Sequence, residues 1–328
     1  GIFAVGVVIG VPVAFALGIA ALVVFWVEGL PLMIGFQRIL SGVSVFSLLA
    51  IPFFIFAGEL MLHGGIAQRL VKLAAAAVGH IRGGLGTVNV LSSMLFGGIS
   101  GSAVADTSAL GSLLVPVMKR RGYDPDYAVN VTVTSSIAGI MIPPSHNMIL
   151  YSVAAGGTSI SQLFLAGIVP GVLMCVCLAL AAWLVALKRG YPKDPFPGWT
   201  ALAAAFFAAI PGLITAVIIV GGVLSGVFTV TESGAIGVIY ALVVTVVAYR
   251  SLSWDGFTLA VAKAVRTTAL VMVLVGCATA FAYLLALYRV PELLTQLLFT
   301  VSENPVVVLL MLNLMLLVLG MIMDMAAL

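Results

Sequence analysis

Apolar residues run along this chain in stretches far longer than a soluble core needs, and polar residues gather in the breaks between them. Runs long enough to cross a bilayer lie near 2–25, 43–62, 128–151, 163–187, 211–228, 233–249 and 267–288, several interrupted by Pro or Gly. Shorter apolar pieces at 85–97, 103–118 and 306–323 behave differently. Between the first two lies a polar break, Gly97-Gly-Ile-Ser-Gly-Ser-Ala-Val-Ala-Asp106. As a helix, Leu85 to Gly97 would rise only about 20 Å, against a hydrocarbon core of roughly 30 Å. The pattern therefore predicts a segment that enters, turns at glycines and leaves on the same side, a re-entrant hairpin over 85–118. Non-helical backbone at that depth survives only where protein buries it or where water and ligand reach it. A carboxylate beside it marks a functional site.

Charge placement orients the spans. Lys119-Arg120-Arg121, Lys188-Arg189 with Lys193, Arg250 with Lys263 and Arg266, and Arg69, Lys72 and Arg82 fall on one side, while the connections near Glu28, 155–162 and 229–232 are poor in Lys and Arg. The first set is assigned to the cytoplasm, and all seven crossings then alternate. Segments 66–80 and 255–266 carry basic residues at helical spacing over apolar faces, which predicts interfacial helices. The chain also repeats itself. Phe56-Ala57-x-x-Leu60-x-Leu62-His63 recurs as Phe281-Ala282-x-x-Leu285-x-Leu287-Tyr288, and Asp106-Thr-Ser-Ala109-Leu110 recurs as Asp324-Met-Ala-Ala327-Leu328. By the sidedness above, 43–62 runs into the cytoplasm and 267–288 runs out of it. Repeats of opposite orientation are the signature of secondary transporters, with the site at the repeat interface near the midplane.

Composition narrows the class. The 328 residues are 63% hydrophobic and 8% charged, with a mean hydropathy of +1.28; a soluble domain carries roughly 25% charged residues. The fold class is therefore an all-α polytopic membrane protein with inverted repeats, re-entrant hairpins and broken helices. No basic run with interleaved aromatics points to nucleic acid. Cys175, Cys177 and Cys277 lie in apolar spans, and Cys-x-Cys on a helix does not put both thiols on one face. The first apolar run has neither a basic leader nor a cleavage site, and reads as a span rather than a signal peptide. A chain that starts without Met and stops in mid-pattern at Asp324–Leu328 is expected to continue at both ends. No Ser-His-Asp order, His-Glu-x-x-His or Walker loop appears, so neither hydrolysis nor ATP coupling is encoded. The chain is read as a transporter, not an enzyme, and no cofactor is expected.

Two stretches carry the chemistry. One is the hairpin tip, with Ser100, Gly101, Ser102, Asp106, Thr107 and Ser108; the other is Thr134-Ser135-Ser136-Ile-Ala-Gly139-Ile-Met-Ile-Pro143-Pro144-Ser145-His146-Asn147. Pro143-Pro144 removes two amide donors and frees carbonyls one turn earlier. Freed carbonyls, hydroxyls and one carboxylate are hard oxygen donors, suited to Na⁺ rather than to soft metals. The expected Na⁺ positions are Ser100, Gly101, Ser102, Asp106, Ser135, Gly139 and Ser145. Half-helix N-termini at the tip would attract an anionic substrate group, expected against Ser102, Thr107, Pro144, Asn147 and Asp324. Asp106 has two open roles, as an ion ligand or as a cap of backbone amides at the hairpin turn. Glu232, after Thr229-Val-Thr231, is expected to cap a helix from Ser233. Glu59 is expected to pair with a cation or cap its crossing. His146 is expected to hydrogen-bond the broken helix, with a proton relay as the alternative.

At these residues the chain resembles a known family. Gly97–Thr107, Ile142-Pro-Pro-Ser145 and Gly226-Val-Phe-Thr-Val-Thr231-Glu232 are similar to the large membrane subunit, the DctM type, of tripartite ATP-independent periplasmic (TRAP) transporters. Gly10-Val-Pro-Val-Ala-Phe-Ala-Leu17-Gly18 and Ile51-Pro-Phe-Phe-Ile-Phe-Ala-Gly58 share the likeness, which runs over essentially the whole chain. Departures fall at Val230 and Ser233-Gly234, where the family usually has Pro and Ala-Ala. The family also continues past Asp324 into the rest of a second hairpin and a second Pro-Pro broken helix, with one further Na⁺ site. The resemblance implies a multi-pass protein of the bacterial inner membrane that imports small organic acids, of the C4-dicarboxylate or sialic acid type, driven by Na⁺. Its implied partners are a small four-helix membrane subunit of the Q type and a periplasmic substrate-binding protein of the P type, besides the carboxylate substrate and the lipid bilayer. An elevator is implied, with scaffold helices in 1–62 and 191–288, arms in 63–83 and 289–303, a transport part over 84–190 and the start of the second hairpin at 304–328. The rival reading is a stand-alone Na⁺/dicarboxylate carrier that needs no binding protein.

Overall fold

The computed structural model describes residues 1–321, with backbone alone at Ile99 and Ser100. Among the described residues the regular structure is helical. Helices α1 (Ile2–Val8), α2 (Val13–Val27) and α3 (Leu32–Val43) open the chain. The expected single crossing over 2–25 is thus two helices. Gly10 takes a positive φ of 88° and Pro12 stands as the N-cap of α2, so no continuous hydrogen-bond ladder can run through. Helix α3, apart from its last residue Val43, lies outside every expected crossing.

A 3₁₀ turn (Phe46–Leu49) leads into α4 (Ala50–His63), and α5 (Ile66–Val78) follows. The first hairpin is α6 (Gly84–Ser100) and α7 (Ala103–Arg120). The next crossing is broken, as the double proline requires, into α8 (Pro125–Ser135), α9 (Ala138–Met141) and α10 (His146–Ala154). Then come α11 (Ile160–Lys188), α12 (Trp199–Leu224), α13 (Val230–Val243) with a π turn over Val244–Ala248, and α14 (Trp254–Leu287). Helices α15 (Val290–Val301) and α16 (Pro305–Gly320) end the described chain. Among the described residues, five helical stretches are long and apolar enough to cross a membrane: Phe46–His63, Ile160–Lys188, Trp199–Leu224, Val230–Ala248 and Trp254–Leu287.

Two expectations shift at helix ends. The interfacial helix expected over 255–266 continues unbroken into the span, as the first part of the 34-residue α14. That length is about 50 Å, so its basic first turns extend beyond the hydrocarbon. Helix α12 starts at Trp199 rather than 211, with Pro211 inside it.

The chain forms two units, residues 1–46 with 266–328, and residues 47–265. In the first, the Phe25 and Tyr283 rings stack at 6.1 Å and the Arg38 guanidinium lies 4.3 Å over Tyr283. In the second, α4 packs on α13, and α6 packs on α5, α7, α8, α9 and α11. Lipid tails are as apolar as Leu, so close backbone approach rather than burial decides such contacts. Gly234 of α13 lies against Phe53 and Phe54 of α4, and Gly237 against Ile219 of α12. The fully buried Leu60, Leu70, Leu110 and Phe96 fill the space around α6.

The sequence repeat has a counterpart in element order. Helix α4 leads through a left-handed Gly65 (φ +77°) into α5 and then α6. Helix α14 leads through a left-handed Arg289 (φ +53°) into α15 and then α16.

Candidate functional site

Helices α6 and α7 meet at Gly101, whose φ of +63° is a conformation that costs glycine little. A methyl group here would stand 2.9 Å from the Pro144 carbonyl oxygen and 3.4 Å from the Ser145 Cα and the His146 nitrogen. The hairpin tip therefore rests directly on the break between α9 and α10. A second contact lies one layer away. A methyl on Gly139 would stand 2.9 Å from Asp106 Oδ2 and 3.2 Å from the Ser102 carbonyl oxygen, and one on Gly97 only 2.7 Å from the Gly139 nitrogen. Glycines at these places let α6, α7 and α9 close on one another.

The two stretches singled out from sequence thus converge. Asp106, Ser135 and Ser145 have no exposed surface, and His146 and Asn147 are 7% exposed. Gly101, Gly139 and Pro144 are buried, and Ser102 and Thr107 are half-buried. Ser100 is the last residue of α6. Asp324 lies outside the described residues.

Helix ends of both polarities meet here. Helix α7 starts from Ser102, whose Oγ accepts the Ala105 N–H at 3.3 Å, and places Asp106 in its first turn. Helix α10 starts from Ser145, whose hydroxyl makes no cap bond. The first N–H groups of each helix present partial positive charge. Helices α6 and α9 end here instead, and their last carbonyls present partial negative charge. The Pro143–Pro144 peptide between α9 and α10 is cis.

Ser145 Oγ and Asn147 Oδ1 are shut from solvent and have no hydrogen-bond partner among the described residues. A buried polar atom left that way costs about 1–3 kcal/mol, so two such oxygens beside the break are a strong pointer to a bound ion or ligand. Ser135 differs. Its hydroxyl is 2.9 Å from Ser93 Oγ and shares its one proton between the Thr132 carbonyl at 3.1 Å and Asn89 Oδ1 at 3.3 Å. Asn89 Nδ2 in turn donates to Thr132 Oγ1 at 2.6 Å. This buried ladder ties α6 to α8. Asn89 and Ser93 escaped the sequence reading, although their i, i+4 spacing in an apolar segment places two polar groups on one helix face.

The other flagged residues have structural partners. Thr229 Oγ1 accepts the Glu232 N–H and Glu232 accepts the Thr229 N–H at 2.8 Å, a capping box. The helix starts at Val230, not Ser233, because this reciprocal pair sits three residues apart. Glu59 Oε2 lies 3.4 Å from His63 Nε2, one turn along α4. At the basic end of the unit, Arg189 donates to Asp124 at 2.8 Å and to Asp126 at 3.1 Å, fastening the α7–α8 turn to the end of α11. The hydrogen bond from Arg189 holds the Asp126 carboxyl below its ordinary range. Burial pushes the nearby Tyr123 phenol up.

A helical protein with five membrane-length apolar helices among the described residues, and a helical hairpin and a broken helix meeting at buried oxygens, belongs to the class of multi-pass membrane transport proteins. The family model described as "Tripartite ATP-independent periplasmic transporter, DctM component" matches residues 1–328. The chain belongs to this family, the large permeases of TRAP secondary transporters, and is not an enzyme. It is 40% identical over 312 residues to the sialic acid TRAP transporter large permease protein SiaM of Vibrio cholerae, covering 95% of this chain and 73% of the relative. It is 39% identical over 320 residues to the 2,3-diketo-L-gulonate TRAP transporter large permease protein YiaN of Escherichia coli, covering 97% and 75%. Against the C4-dicarboxylate TRAP transporter large permease protein DctM of Rhodobacter capsulatus the identity is 32% over 329 residues, covering 96% and 75%. Large permeases of this family generally work with a small permease and a periplasmic binding protein.

Proposed function

We propose that this chain is the substrate-translocating subunit of a Na⁺-coupled importer of a small organic acid in the bacterial inner membrane. The observation that carries the reading is the meeting of the hairpin tip with the broken helix, Gly101 on Pro144–Ser145 and Asp106 on Gly139, beside the Ser145 and Asn147 oxygens, which find no hydrogen-bond partner among the described residues. Na⁺ must exchange its hydration shell for oxygens. The carbonyl ends of α6 and α9, the Asp106 carboxylate and the hydroxyls of Ser102 and Ser145 are hard donors of the right kind. The N-terminal ends of α7 and α10 favour the substrate carboxylate, with Thr107, Pro144 and Asn147 nearby in sequence. Cation and anion then bind side by side, each lowering the cost of the other.

The substrate is a carboxylate, in line with the sialic acid, 2,3-diketo-L-gulonate and C4-dicarboxylate named for the relatives. A periplasmic binding protein delivers it and a separate or fused small permease braces the large one. Helices α5 and α15, at matching places in the two repeats, serve as arms of an elevator. Uptake by the complete transporter in proteoliposomes tests this. An inward Na⁺ gradient should drive accumulation only when the liganded binding protein is supplied. Uptake of free substrate that gains nothing from the binding protein would overturn the tripartite reading in favour of a stand-alone carrier.

A further inference from the structure

A cleft of about 500 Å³ opens where α11 leaves the membrane, lined by His80, Ile81 and Arg82 from the α5–α6 turn, Trp183 and Leu187 from the last turns of α11, and Lys193 beyond it. The chain holds these walls together. Arg82 and Lys193 pair through their backbones as an antiparallel bridge, and the Gly83 N–H donates to the Pro192 carbonyl at 3.0 Å.

Two features of the cleft differ from a solvated loop. Its basic side chains are not neutralised. Asp194, next to Lys193, is taken by Arg121, whose Nη1 lies 2.7 and 2.8 Å from the two carboxylate oxygens. Asp124 and Asp126 are taken by Arg189. Among the described residues neither Arg82 nor Lys193 forms an ion pair. The second feature is an apolar wall set at the membrane boundary. Leu184 and Leu187 lie on the exposed surface of a membrane-length helix, and Trp183 stands in the same last turns. The Phe196 ring packs edge-on against His80 at 5.1 Å and against Trp199 at 5.4 Å, and Trp199 is itself exposed. Aromatic side chains collect at headgroup depth. The basic residues on this end place it at the cytoplasmic surface, where anionic lipids attract Lys and Arg.

We propose that this cleft binds the phosphate headgroup of an anionic phospholipid, with Arg82 and Lys193 on the phosphate and an acyl chain along Trp183 and Leu187. A soluble phosphate would satisfy the basic rim but not the apolar wall. The site lies apart from the hairpin tip and does not depend on the transported substrate.

The test is native mass spectrometry of the complete, delipidated transporter, titrated with phosphatidylglycerol and with phosphatidylcholine of the same acyl chains. Phosphatidylglycerol should bind more tightly, and the double variant Arg82→Gln/Lys193→Gln should weaken it about thirtyfold. The charge-keeping Arg82→Lys/Lys193→Arg and the charge-matched control Lys119→Gln/Arg120→Gln should bind as the parent does. Inorganic phosphate in large excess should not displace the lipid. Equal binding of the two lipids, or equal weakening by the control, overturns the proposal. Displacement by inorganic phosphate overturns the lipid assignment and makes the cleft a soluble-anion site. Should Arg82→Gln/Lys193→Gln fail to fold, the comparison of the two lipids and the phosphate competition on the parent protein decide.

Discussion

Gly139 lies against Asp106 with no room for a side chain, a methyl at 139 standing 2.9 Å from the carboxylate Oδ2. The only α-carbon substituent that leaves this carboxylate in place is hydrogen. The contact also joins elements far apart in sequence, the first turn of the returning hairpin arm and the short helix before the double proline.

Gly139→Ala should therefore push Asp106 and the Ser102 carbonyl aside and depress uptake more than it depresses folding. Gly97→Ala is harsher, because its methyl meets backbone atoms of Gly139 at 2.7 and 2.8 Å, which no rotamer change relieves. Its expected cost is about 1–3 kcal/mol. Gly221→Ala, with its nearest neighbour at 3.9 Å, is the control and should behave as the parent. Melting temperature in detergent and initial uptake rate, measured on the same preparations, separate the two effects.

The left-handed residues ahead of α5 and α15 make opposite forecasts. Gly65 holds φ +77°, and a side chain there would also meet Arg69 Nη1 at 2.9 Å, so Gly65→Ala should destabilise by about 1–2 kcal/mol. Arg289 holds φ +53° with a side chain already present. Arg289→Gly should therefore be neutral or raise the melting temperature. A fall as large as that of Gly65→Ala would mean that the Arg289 side chain carries contacts of its own.

Much of this was legible in the apolar pattern. The hairpin over 85–118 appears as α6 and α7 because short apolar arms around Gly-Ser-rich sequence have no other way to satisfy their backbone in a membrane. The double proline gave away the break between α9 and α10 for the same reason. Helix ends were less legible. Hydropathy does not register where α14 begins, since Lys263 and Arg266 on its early turns look the same whether the helix lies on the surface or continues into the span. Nor does it show that Pro12 separates α1 from α2, because both halves are equally apolar. At the site, residue type announced the oxygens but not their use. Ser135 and Ser145 read alike in sequence, yet one bonds within a ladder of Asn89, Ser93 and Thr132, and the other has no partner among the described residues. Only the packing of α6 on α8 tells them apart.

Acid should loosen the clamp at the basic end. Asp126 is held below its ordinary value of 3.8, first by the hydrogen bond from Arg189. A carboxyl with a depressed folded-state pKa contributes stability above its unfolded value, and that contribution is lost as pH falls through the folded one. The melting temperature should thus drop as pH is lowered through and below about 3.8. Asp126→Asn should be less stable at neutral pH and show a shallower drop. An identical acid profile in parent and variant would remove Asp126 from the account.

The decisive comparison is between Ser145 and Asp106. Ser145 Oγ is buried and finds no partner among the described residues, so a purely structural role predicts that Ser145→Ala is neutral or stabilising, since it deletes an unsatisfied polar atom. An ion-binding role predicts the opposite in function: unchanged or raised stability, with a higher Na⁺ concentration needed for half-maximal uptake. The two properties must move apart for the ion reading to stand. Ser102→Ala should raise the Na⁺ requirement too, but it also removes the cap on Ala105, so its stability should fall by about 1 kcal/mol. Asp106→Asn keeps the shape and removes the charge. As an ion ligand, Asp106 would transmit that loss to the Na⁺ requirement; as a cap alone, it would transmit it to the melting temperature. Na⁺ dependence left untouched in all three variants would move the ion site away from the hairpin tip.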